Sequence, residues 1–145
     1  MRPARLKDAR SIFEIHLASL EGLDEEDYEW FEAIIRVRSR RRKVLVAELG
    51  GEVVGFAIAY RHRNLAYIDS IAVKPEARGA GVGSRLLAEL ERALKAEGAE
   101  LVALSVKDEN KRALDFYLRN GYSLKGVILL LSCSIADLPS TAAEG

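Results

Sequence analysis

Three glycines in seven residues, RGAGVGS (78–84), sit between two stretches of different rhythm. Upstream, LAYIDSIAV (65–73) is rich in β-branched and aromatic residues and reads as a strand. Downstream, SRLLAELERALKAEG (84–98) sets Leu86, Leu87, Leu90 and Leu94 on one side, an amphipathic helix ended by Gly98. ELVALSV (100–106) then reads as a second strand. A strand, a crossover helix and a strand make parallel neighbours with a right-handed connection. The centre of the sheet is therefore expected to be a parallel pair, which constrains everything placed around it.

The flanking segments extend that sheet. DARSIFEIHLASLEG reads as a helix with Asp8 as its cap, and DEEDYEWFEAIIRVRSRRR as a second helix with an acidic head and a basic tail. KVLVAEL and VVGFAIAY read as two strands joined at Gly50 and Gly51, and RHRN (61–64) as the next turn. NKRALDFYLRNGY reads as a short helix with Asn110 before it and Gly121 after it, and VILLLSCSI (127–135) as a final buried strand carrying the single cysteine, Cys133. These 145 residues suit one α/β domain, 1–145, whose polar tail from 136 to 145 is expected to fray.

The glycine loop has a chemical use. A strand that enters a helix through glycines leaves the first-turn N–H groups unpaired at the positive end of the helix dipole, which suits a phosphate. Glycine lets the backbone approach closely, and Arg78 adds a charged donor fork. A tight connection alone would need one glycine. The pattern G-x-x-x-x-G-K-[ST] is absent, and G-x-G-x-x-G fails because Ser84 or Leu86 falls at its last position.

IAVKPEARGAGVGSRLL resembles the acetyl-CoA signature of the GNAT N-acetyltransferase superfamily, with Arg78, Gly81 and Gly83 at the signature positions. NKRALDFYLRNGY resembles the later motif of that family, matched by Asn110, Ala113, Phe116, Tyr117, Gly121 and Tyr122. In style the chain is similar to the ribosomal-protein and archaeal N-terminal amine acetyltransferases. The resemblance implies a mixed twisted sheet of about six to seven strands, splayed between its two central parallel strands, with about four helices on its faces. It implies a bulge in the first of those strands. The pantetheine arm of acetyl-CoA would then pair with Ile71, Ala72 and Val73, and the pyrophosphate would lie on Gly79, Ala80, Gly81, Val82, Gly83 and Ser84, beside Arg78. Asn110, Ala113, Phe116 and Tyr117 would complete the cofactor site. Asn110 is also a good helix N-cap, and the two roles are compatible.

Acetyl transfer to an amine needs a neutral amine and a proton for the departing thiolate. By resemblance Tyr117 is the acid; its plainer reading is a core tyrosine at helical spacing from Leu114. Related N-terminal amine acetyltransferases often carry Glu or His five residues before the motif Asn, where this chain has Ser105. The base is therefore sought on the strand at 65–73, where Tyr67 and Asp69 alternate onto one face. Asp69 acting through a water is the candidate, with Tyr67 holding that water. Pairing with an arginine is the equal alternative for Asp69. His62 reads as an exposed turn residue and His16 as structural.

Composition narrows the partners. Lys plus Arg and Asp plus Glu each number 22, so the chain has no basic excess of the kind nucleic-acid or membrane-surface binders carry. The run RVRSRRRK (36–43) reads as a solvated helix end, with the adenosine 3′-phosphate as another use. No long apolar span, signal peptide or metal-ligand set is visible, so a cytoplasmic protein without metal is expected. Gln is absent while Arg and Glu abound, a thermophile-like bias. The acceptor would be a peptide N-terminus, or alternatively a small amine or polyamine. A non-catalytic CoA-binding sensor is the reading from another class, and a homodimer would cover an apolar final strand.

Overall fold

In a computed structural model, the described residues are 1–19, 32, 33, 35, 36, 39–127, 129, 131 and 133–137. They fall into two compact units, Met1–Lys107 and Asp108–Gly145. The first holds a five-stranded sheet in the order β1 (Arg2–Pro3), β2 (Arg42–Leu49), β3 (Glu52–His62), β4 (Leu65–Val73) and β5 (Leu101–Leu104). Every pairing is antiparallel except β4 with β5, which is parallel, as the strand–helix–strand unit requires. Helix α1 (Ala9–Ser19) precedes β2, and α2 (Val82–Ala96) links β4 to β5.

The two helices seal opposite needs of the sheet. Ile12 and Ile15 of α1 pack with Val46, Val53, Phe56 and Ile58, all buried. From α2, Val82, Leu86, Leu87, Leu90 and Leu94 are buried, the last four being the positions that its leucine rhythm selects. Gly55 on β3 lies against α2. A Cβ there would lie 3.0 Å from Leu86 Cδ1 and 3.1 Å from the Ala72 carbonyl oxygen, so the side chain is omitted to let helix and sheet meet.

Several expectations are corrected. Asp8 does not cap α1: it lies in a 3₁₀ turn, Leu6–Asp8, and is 2% exposed. Its carboxylate accepts two hydrogen bonds from the Arg2 guanidinium at 2.7 and 2.9 Å and one from the Arg5 N–H at 2.7 Å. That pairing also explains β1, a two-residue strand too short to read from sequence. Of the expected second helix, residues 32, 33, 35 and 36 are helical, its acidic head lies outside the described residues, and its basic tail turns at Arg40 and Arg41 so that Arg42 begins β2. The expected strand at 127–135 is not a strand among the described residues. Val127, Leu129 and Leu131 are exposed, Cys133 is an exposed thiol rather than a core residue, and Ile135–Asp137 forms a 3₁₀ turn where fraying was expected from 136. The sheet therefore has five strands among the described residues, against the six to seven expected.

The second unit is built on α3 (Lys111–Arg119). Asn110 caps it, its side-chain oxygen accepting from the Ala113 N–H at 3.1 Å. Gly121, at φ 93°, closes it: the Tyr122 N–H donates to the Tyr117 carbonyl at 3.0 Å and the Gly121 N–H to Leu118 at 3.2 Å. No helix among the described residues is long and apolar enough to cross a membrane.

Candidate active site

The parallel ladder is shorter than its strands. It runs from Leu65 opposite Leu101 to Ile68 opposite Leu104 and stops, while β4 continues to Val73. The residues from Asp69 to Val73 keep β3 on one side and have no β5 partner on the other. The parting begins at a bulge. Ile58 faces Ser70 and Ala59 faces Ile68, so Asp69 is the extra residue on β4. We call the edge of β4 left unpaired beyond this point the wedge, with Asp69 at its apex. Ile71, Ala72 and Val73, the residues expected to pair with a pantetheine chain, lie along its open edge.

Below the wedge, β4 runs through a 3₁₀ turn, Pro75–Ala77, into the glycine loop. Gly79 and Gly81 hold φ of 84° and 81°, the left-handed region, and a Cβ built on either meets nothing within 4 Å. Those glycines therefore face open space, and the backbone fold itself excludes side chains there. Gly81 is the N-cap of α2 and offers no side-chain bond to the first turn. The N–H groups of Val82, Gly83 and Ser84 are left for an anion. Arg78 is tied back, its Nε donating to the Val73 carbonyl at 3.1 Å. It braces the end of β4 as well as adding charge to the loop.

At the apex, the Tyr67 hydroxyl donates to the Ser105 Oγ at 2.8 Å. Ser105 follows the last residue of β5, two places beyond Ala103, which stands opposite Tyr67. The hydroxyl pair is the last rung between the strands before they part. Sequence reading left Ser105 without a partner; the parallel register, which puts the two residues on one diagonal, is the signal that could have found it. The bulge interrupts the simple alternation expected for Tyr67 and Asp69. No arginine pairs with Asp69 among the described residues. Its carboxyl is raised above the ordinary aspartate range, chiefly because surrounding protein removes water, against hydrogen bonding with the Ser70 side chain and the charge of His16. His16, expected to be structural, thus sends its field to the apex from α1; His62 is exposed on the β3–β4 hairpin.

In the second unit, Tyr117 is half-buried between Phe116 and Tyr122. Ring centroids lie 5.1 and 5.5 Å apart, both edge-on. Burial pushes its phenol up to about 12, so it is protonated through the neutral range. Within the first unit the structure joins Tyr67 to Ser105 beside Asp69 and puts the glycine loop after the end of the same strand, while Tyr117 and Asn110 belong to the second unit.

Beside the loop lies a cavity of about 320 Å³ lined by Ala80, Val82 and Arg85 with β2 residues. A second, of about 400 Å³, lies by Glu91, Lys95 and Val102. Neither includes Asp69 or Tyr67. No group of three His, Cys, Asp or Glu side chains among the described residues is gathered to hold a metal.

A ladder that ends beside a bulge, followed by a glycine loop that opens a helix, suits an extended ligand carrying a phosphate. Residues 9–122 match the model of the acetyltransferase (GNAT) family, and the chain belongs to that family, whose members are N-acetyltransferases that use acetyl-CoA. Solved structures are similar in fold. A transcriptional regulator from Bacillus halodurans C-125 superposes with a TM-score of 0.82 at 22% identity, covering 91% of this chain and 97% of that one. A ribosomal-protein-alanine N-acetyltransferase from Brucella melitensis biovar Abortus 2308 gives 0.75 at 18%, covering 90% and 96%. An aminoglycoside N-acetyltransferase in complex with CoA gives 0.77 at 18%, covering 91% and 92%.

Proposed function

We propose that the chain transfers an acetyl group from acetyl-CoA directly to a primary amine, the N-terminus of a polypeptide, at the apex of the wedge. The observation that carries this reading is the end of the β4–β5 ladder at Ile68 and Leu104, with Asp69 bulged beside it and the glycine loop following. Gly79, Gly81 and the first-turn N–H groups suit a pyrophosphate, and the free edge of Ile71–Val73 suits the amides of a pantetheine arm. The reading treats 1–145 as one transferase domain, because the family match runs from 9 to 122 across both units.

When bound, acetyl-CoA supplies an acetyl group activated as a thioester. The chain supplies orientation and proton handling. Asp69, with its raised carboxyl, takes the amine proton through a water that Tyr67 holds in place. The Tyr67 proton is directed to Ser105, so the phenol oxygen keeps a lone pair free to accept from that water. Tyr117 keeps its proton at neutral pH and gives it to the leaving sulfur. Asn110, Ala113 and Phe116 fix the helix that carries Tyr117.

A small amine or polyamine is the alternative acceptor, supported by the fold shared with an aminoglycoside acetyltransferase. A non-catalytic CoA sensor is the reading from another class, and the retention of Tyr117 at the motif position speaks against it. Val127, Leu129 and Leu131, 87%, 83% and 87% exposed, favour a homodimer that covers them. Incubation with acetyl-CoA and a panel of peptides and polyamines tests the reading. Release of free thiol that needs a peptide N-terminus supports it. Thiol released only with polyamines moves the acceptor, and CoA binding without thiol release leaves a sensor.

A further inference from the structure

We propose that the end of the sheet opposite the glycine loop is a docking surface for an acidic stretch of the polypeptide acceptor. The sequence carries two separate basic runs, one ending at Arg40–Lys43 and the other at Arg61–Arg63. Antiparallel pairing of β2 with β3 sets them side by side. Arg42 stands opposite Tyr60, and the Arg61 N–H donates to the Arg41 carbonyl at 2.7 Å. Six cationic side chains therefore share one edge of a protein whose formal net charge is zero.

Part of that charge is spent within the fold. Glu97 takes Lys43 and Arg61, and Arg42 lies over the Tyr60 ring at 5.8 Å. Arg40, Arg41 and Arg63 are exposed and enter no ion pair among the described residues. Arg63 holds a φ of 56°, a left-handed backbone where Asn or Gly would be easier. The tip is also fixed. The Asn64 carbonyl accepts from Glu100 and Leu101 N–H groups at 2.7 and 3.2 Å, and the Arg61 guanidinium donates to the Arg63 carbonyl at 2.8 Å. The result is a rigid, strained turn that presents arginine to solvent, with planar donor forks suited to carboxylates.

Position links this edge to the reaction and separates it from the cofactor. The hairpin tip and the glycine loop lie at opposite ends of β4, roughly 30 Å apart at about 3.3 Å per residue. The edge is thus out of reach of the loop that would hold the pyrophosphate. Asp69 lies five residues from Asn64, roughly 15 Å along the strand. The cofactor would fill the wedge from the loop end, which leaves the hairpin end for the acceptor. An extended peptide with its amine at Asp69 would carry its residues from about the fourth to the seventh over the arginines. This inference rests on the proposed transfer site.

The test uses peptides that share their first three residues and carry Glu, Ser or Lys at positions four to seven. Thiol release and anisotropy of labelled peptide on the CoA-loaded protein are both measured. The Glu peptide is expected to exceed the Ser peptide by roughly tenfold in kcat/KM and in affinity, and the Lys peptide to fall below both. Raising salt from about 0.05 to about 0.5 M should shrink the preference. The triple variant Arg40→Ser, Arg41→Ser, Arg63→Asn should remove it and leave turnover of the Ser peptide unchanged; Asn keeps the left-handed turn. Equal binding of the three peptides, or a preference that survives in the triple variant, overturns the proposal. A Glu preference in binding without thiol release from any peptide upholds the docking surface and refutes the transfer site.

Discussion

Asp69 and Tyr117 have opposite tasks and are shaped for them in different ways. Asp69 must lose its proton to work, yet desolvation holds its carboxyl above the ordinary range. Its contribution should therefore fade as pH falls through that raised value. Asp69→Asn should lose most rate where the carboxyl is ionised and the amine is still protonated, lose less as pH falls through the raised value, and recover part of the loss at higher pH as free amine appears. A rate ratio to wild type that is flat with pH would remove Asp69 from the proton path. Tyr117 must keep its proton, and burial raises its phenol to about 12. Tyr117→Phe should lower kcat by roughly 10²–10⁴-fold with CoA affinity little changed. Since the unfolded phenol titrates near 10, the folded state loses stability as pH climbs from about 10 towards 12, and the Phe variant should lose that part of the alkaline decline. An unchanged kcat in the variant would leave Tyr117 a packing residue among Phe116 and Tyr122.

At the scale of elements, the join between β4 and α2 carries the cofactor argument. Gly81 holds φ 81° in open space, so a new Cβ meets backbone strain and, when ligand is bound, the phosphate. Gly81→Ala should cost about 1–2 kcal/mol of stability from the left-handed backbone alone. Its CoA affinity should fall well beyond the same change at Gly50, a left-handed glycine of the β2–β3 turn, at φ 59°. Calorimetry that shows equal CoA binding in the two variants would return the loop to a purely structural role. This join was legible in the sequence, because a strand pattern, a glycine cluster and a leucine period each leave a local signature. The bulge was read only through the family likeness, since nothing in LAYIDSIAV marks which residue is extra; the register against β3 decides it. The Tyr67–Ser105 rung and the paired basic runs needed the sheet itself, being contacts 38 and about 20 residues apart in the chain. The described residues of the expected strand at 127–135 show the converse: β propensity alone does not make a strand.

For the molecule as a whole, the unfinished ladder between β4 and β5 has a consequence in exchange with solvent. Amides of Asp69–Val73 that point away from β3 have no strand to hold them, although they belong to a central strand of the sheet. Hydrogen exchange should therefore find fast protons in the middle of the fold, flanked by slow ones on β3 and on Leu65–Ile68. Saturation with CoA should slow the Ile71–Val73 protons and leave the hairpin at Arg63 unaffected. Acidic peptide should do the reverse, quieting the hairpin before the wedge. If the Ile71–Val73 amides are already slow without ligand, the edge is covered by something other than cofactor, and the wedge is not the place where the cofactor docks.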